Sequence, residues 1–149
     1  MTAVRAPPQP AERFRTFRSM RLRVHISGRS HAVIPVLVAE TLDQHRLGLS
    51  EACPDDLGMH AGMLFTFPAD TRTPVSMTGM RMSLDVAFLH ASGIVGSLVE
   101  LHPVPDEERP RYRGHLPPHT FRHALELVQG GAARFGIAPG VRIELRSCG

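Results

Sequence analysis

The chain has 149 residues, 42% of them hydrophobic and 21% charged, a length at which about two-thirds of the unfolded surface can be buried, so one domain needs no covalent or metal staple. Its net charge is +3, yet all 17 basic residues are arginine. With no lysine present, Schiff-base chemistry, a P-loop lysine and a lysine general base are excluded.

The charge is uneven along the chain. Residues 1–29 carry seven arginines against the single acid Glu12, whereas the remainder has ten arginines against thirteen acids. Residues 1–19 are Pro-rich and polar, with Phe14 and Phe17 as their only large apolar groups. They read as a flexible arm that buries too little surface to offset its ordering entropy. Arginine clusters neutralise phosphates, but no DNA- or RNA-binding motif follows, so nucleic acid is expected as a partner of this arm at most. No apolar run approaches bilayer length and no h-region follows the N-terminal arginines, so neither a membrane span nor a cleaved secretory signal is expected. The expected location is the cytoplasm, where Cys53 and Cys148 would stay free thiols, although one bridge between them is possible.

Residues 20–149 read as a single β-rich domain. Strict alternation over residues 21–26, with Leu22, Val24 and Ile26 on one face, predicts a half-buried strand. A Ser-Gly turn leads to a β-branched strand over 31–39, where Pro35, lacking an N–H, predicts an edge or bulge position. Thr41 with Gln44 three residues later predicts a capping box on a helix of about two turns. After a loop over 50–61, residues 63–67 form a strand that Pro68 should end, and 69–74 a polar loop. Residues 84–90 and 94–101 form a hairpin. Residues 102–119, with five prolines, form a long loop of the kind that is usually functional or mobile. Alternation resumes over 121–128, with Phe121, His123, Leu125 and Leu127 assigned to one side. Gly136 followed by Ile137 ends a short helix over 130–135 in a Schellman-like turn, and residues 141–145 give a last strand. The predicted fold is mainly β: a small antiparallel sandwich or partly closed barrel with two short helices.

Several stretches in this order resemble the domain of unknown function 192 family. They are VAETLDQHRLGL over residues 38–49, GMLFTF over 62–67, GMRMSLDVAFL over 79–89, and ALEL followed by GAARFGIAPG over 124–140. The resemblance spans about residues 22–146 and implies a β-rich domain with no established activity. The sequence departs from the family where its members carry a Phe-Trp-Met-Lys run: here stand Val75, Ser76, Met77 and Thr78. An aromatic platform and a cation are gone. Either this chain binds something different there, or neighbours have filled the space.

Asp85 is the first candidate for chemistry, because a carboxylate in an apolar strand must be paired or hydrogen-bonded. It reads either as a general acid or base at a barrel mouth, or as a structural carboxylate capping backbone N–H groups. Arg81 and Arg46 are its candidate partners. Arg46, within the family-like Arg-Leu-Gly-Leu segment, reads as an anion-binding fork or as a helix-to-sheet ion pair. Nine histidines raise the question of a metal. His119 and His123 have the spacing that chelates from a helix, yet four strand steps hold side chains about 13 Å apart. No metal or cofactor is therefore expected. The methionines between 59 and 82, among them Met63 and Met77, read as an adaptable pocket wall or as core filler.

These readings converge on an apolar pocket near Asp85 that binds a small molecule or peptide, rimmed by the 50–62, 69–83 and 102–119 loops. Arg46, Arg81, Met63, Met77 and Thr78 would contact the ligand. The alternatives are a metal-independent acid/base enzyme (isomerase, cyclase or lyase) pairing Asp85 with a histidine, His60 or His115, and an interaction module tethered by the arginine arm.

Overall fold

In the computed structural model, which describes residues 6–146, the first alternating segment is strand β1 (Arg18–Ile26), with Leu22 and Val24 buried and Arg21 and Arg23 exposed. It pairs antiparallel with β2 (Arg29–Ala39). The chain then crosses through helix α1 (Leu42–Leu47) and a 3-10 turn at Pro54–Leu57, so that β3 (Gly62–Thr71) returns parallel to β2. The antiparallel hairpin β4 (Leu84–Leu89) and β5 (Val95–Leu101) follows, then β6 (Phe121–Val128), helix α2 (Gly131–Phe135) and β7 (Arg142–Arg146). Among the described residues these strands form one sheet in the order β5-β4-β6-β3-β2-β1-β7.

The sheet curls until its two edges touch at one corner. Val95 N–H donates to Val141 at 2.9 Å and Ile143 N–H donates to Gly93 at 2.8 Å, but no continuous ladder joins β5 to β7. The architecture is thus a partly closed, mainly β fold with two short α-helices. Inside the curl, Leu22, Val24, Ile34, Leu64, Leu125 and Ile143 pack together, and α2 plugs the open side with Ala132 and Phe135. On the outer face, Leu37, Met63, Phe65, Val86, Phe88 and Phe121 form a second core. The central strands β3 and β6 are therefore buried on both faces, which is why residues 124–127 read as an unbroken buried run.

Both caps predicted for the helices form. Thr41 and Gln44 exchange side-chain and backbone hydrogen bonds at 3.1 and 3.2 Å. Gly136, at φ 72°, donates to Ala133 while Ile137 donates to Ala132, the paired bonds of a Schellman ending. Gly62 is fixed by crowding: a Cβ there would meet the Glu126 carbonyl oxygen of the adjacent strand.

Three expectations are corrected. Pro35 sits in an interior strand, but its carbonyl accepts from Ala61 N–H at 2.8 Å, so its missing N–H faces the side where β3 begins only at Gly62. Pro68 does not end β3, because pairing with β6 is interrupted between Thr66 and Thr71 and no ladder donor is required of it. The N-terminal arm is packed over its described part. Phe14 is fully buried and Phe17 nearly so, in edge-to-face contact at 5.4 Å, and Ala11 N–H donates to the Asp56 carbonyl at 2.8 Å. Two phenylalanines three residues apart suffice to dock a segment whose average composition is polar. Arg5 and Cys148 lie outside the described residues. Cys53 is an exposed free thiol, and no helix among the described residues is long and apolar enough to cross a membrane.

Candidate functional site

A cavity of about 750 Å³ lies on the outer face of β3 and β6, between α1 and the segment 73–80. Strand periodicity builds its floor. On β6, Ala124 and Glu126 face the cavity while Leu125 and Leu127 face the inner core. On β3, Phe65 and Phe67 do the same. The capping box fixes the first turn of α1, which presents His45 and Arg46 as one wall. His45 donates from Nε2 to the Ala39 carbonyl at 2.9 Å, and its ring lies 5.7 and 4.7 Å from those of Phe65 and Phe67.

Val75, Ser76 and Thr78 form the opposite wall. The 102–119 loop braces this wall from behind, so it is not a rim. Val75 and His115 exchange backbone hydrogen bonds at 2.8 and 2.7 Å, and the Tyr112 hydroxyl accepts from Met77 N–H at 3.0 Å. The three positions at which the sequence departs from the Phe-Trp-Met-Lys pattern, Val75, Ser76 and Thr78, thus line the cavity, whereas Met77, the one position kept, is core.

Glu126 is the unusual group. It is 7% exposed, lies opposite Met63 of β3 and Val86 of β4, and has no hydrogen-bond or ion-pair partner among the described residues. Burial in these apolar surroundings pushes its carboxyl up to about 8, so at neutral pH it is a protonated acid that can donate or accept one hydrogen bond.

The residues anticipated from the sequence are dispersed. Arg46 and Thr78 line the cavity. Met63 and Met77 are buried core side chains outside the lining, whereas Met80 does contribute to it. Arg81 is exposed and paired with Glu51 at 3.0 Å. His60 lies between the Ser19 hydroxyl at 2.8 Å and the Leu57 carbonyl at 2.9 Å, and the His115 ring stacks on Phe88.

Asp85 belongs to the other face of the sheet. Along β4 it alternates with Leu84 and Val86, which face the outer core, and shares the side of Ala87 and Leu89, which face inward. Its Oδ2 accepts from the backbone N–H groups of Gly130 and Ala132, both at 3.0 Å, so it caps α2 and contacts neither arginine and no histidine. The buried carboxyl that lines the cavity is Glu126, one strand away on the opposite face. The signal was available: a carboxylate flanked by leucines in the 124–127 segment invites the argument applied to Asp85. Strict alternation puts Phe121 with Leu125 and Leu127 and leaves the other face of β6 without a large apolar side chain, whereas the irregular pairing of β6 with β3 puts Phe121 on that outer face with Ala124.

The capping geometry makes a prediction. Asp85→Ala should destabilise the fold by about 1–2 kcal/mol in urea denaturation, the usual cost of losing a charged cap. Unchanged stability would contradict the capping role.

A family model described as DUF192, Uncharacterized ACR, matches residues 23–145. No curated protein matches the chain. Among solved structures, a candidate transcription regulator from Sinorhizobium meliloti is similar at 25% identity and a TM-score of 0.70, over 87% of this chain and 95% of that one. A protein of unknown function from Novosphingobium aromaticivorans is similar at 22% identity and a TM-score of 0.68, over 97% of this chain and 99% of that one.

Proposed function

The chain belongs to the DUF192 family, and from that footing we propose that it binds a small, largely apolar molecule in the cavity over β3 and β6, with Glu126 as the polar group that orients it. The observation that carries this reading is a buried carboxyl, unpartnered among the described residues, at the floor of a cavity walled by phenylalanine, aliphatic and small side chains, with Glu40, His45 and Arg46 on its α1 side. Such a group weakens the fold, and a ligand hydrogen bond would satisfy it. A volume near 750 Å³ lies within the range of small-molecule sites, which are concave, mostly apolar and fitted with few polar groups. A compact molecule suits it better than an extended peptide.

Saturation-transfer NMR with a panel of neutral probes such as indole, cyclohexanone and 3-phenylpropanol tests the proposal. At least one probe should bind, and Ala124→Leu, which fills the floor, should weaken it tenfold or more. Absence of binding by these probes and by the amine counterpart 3-phenylpropylamine, or binding indifferent to Ala124→Leu, would reject it.

A further inference from the structure

Taking the cavity as a ligand site, we infer that its ligand is a small organic cation, an amine or quaternary ammonium on an apolar body, with its charge set against Glu126 and the surrounding aromatic rings. Three observations point this way.

The first is the contrast between Glu126 and other acids of the fold. Asp85 is held by two backbone N–H groups and Glu40 by the Arg18 guanidinium, with Nε 2.7 Å from Oε1. Among the described residues, nothing holds Glu126. A neutral ligand can give this carboxyl one ordinary hydrogen bond, whereas a cation converts it into a charge-assisted pair, the stronger of the two.

The second is the character of the walls. The rings of His45, Phe67 and Phe121 form a chain, with centroids 4.7 Å apart between His45 and Phe67 and 5.6 Å between Phe67 and Phe121, and Phe65 flanks His45. Aromatic faces attract an ammonium group while also packing its carbon skeleton. Carboxylate and ring faces together are the chemistry that selects amines.

The third is what else is charged nearby. The ionisable groups lining the cavity besides Glu126 are Glu40, His45 and Arg46; β3, β4 and the 73–80 segment contribute none. Glu40 is engaged by Arg18. The Arg46 side chain is 72% exposed and lies 4.0 Å from Asp43, at the rim. An anion would meet the buried acid at the floor, so the charge pattern disfavours it.

The proton balance is simple. A ligand entering as a cation displaces the Glu126 proton to solvent; an amine entering neutral takes that proton and becomes the cation. Because the carboxyl holds its proton up to about 8, cation binding should release about one proton at pH 7 and strengthen as pH rises, by about tenfold per unit, levelling off above 8.

Isothermal titration with 3-phenylpropylamine and its neutral counterpart 3-phenylpropanol at pH 6.5, 7.5 and 8.5 tests the inference. The amine should bind at least tenfold more tightly than the alcohol at pH 8.5, gain affinity with pH, and release about one proton at pH 6.5, in buffers of differing ionisation enthalpy, and much less at pH 8.5. Glu126→Gln should remove the amine's advantage together with its pH dependence. Alcohol binding equal to or tighter than amine binding overturns the cation assignment and leaves the pocket reading standing. Failure of both to bind overturns the two readings together.

Discussion

At pH 8.5 the Glu126→Met protein is expected to be more stable than the parent by roughly 2–4 kcal/mol, although it loses a charged residue. The unfolded carboxyl ionises around its ordinary value of 4.5, whereas the folded one keeps its proton up to about 8. Between these values the folded state binds the extra proton, so stability falls as pH rises through that window and the full penalty is present above it. At about 1.4 kcal/mol per unit the penalty approaches 5 kcal/mol, and relaxation around the site reduces what is measured. Methionine has a similar volume and nothing to ionise. Urea denaturation should show a gain below about 1 kcal/mol at pH 5 and the larger gain at pH 8.5. Equal gains at the two pH values would mean that better packing, not removal of a buried acid, is responsible. A side chain that weakens the fold and has no partner among the described residues is what the proposed ligand site would account for.

Phe14→Ala should destabilise the protein by about 3–5 kcal/mol, the cost of emptying a fully buried phenylalanine site. Phe14 lies in the outer core beside Phe17, Leu37 and Leu57, under a segment tied down by Ala11 to Asp56 and by Met59 N–H to the Pro8 carbonyl at 3.1 Å. Truncating residues 1–17 should therefore lower the melting temperature sharply, not merely remove positive charge. Arg15→Ala is the control. That side chain is 76% exposed and engages only Glu12, so its loss should change stability by less than about 0.5 kcal/mol. A Phe14→Ala cost below about 1 kcal/mol would restore the picture of a peripheral arm.

Much of the fold is legible in the sequence because its signals are local. Alternation around Leu22 and Val24, the Thr41–Gln44 box and the Gly136-Ile137 ending each depend on residues within a turn or strand of one another. What was not legible depends on sums over distant partners. The parallel return of β3 beside β2 has no local marker, and neither does the docking of Phe14, which composition averages away. The site failed for a sharper reason. In a strand the choice of face is all or none, so one irregularity near Phe121 misassigned the outer face of β6 and concealed Glu126. The same period of two sends Asp85 inward, where it meets the N-terminus of α2. Arg46 and Thr78, which do line the cavity, stand in stretches that resemble the family or depart from it.

The location of a bound small molecule tests the central claim most directly. Amide chemical-shift mapping with 3-phenylpropylamine at pH 8.5 should perturb α1, residues 65–67, residues 75–78 and Glu126, and leave the Asp85–α2 region unmoved. Perturbations centred on Asp85 and α2, or scattered over the surface with none at Glu126, would contradict the assignment of the cavity as the functional site.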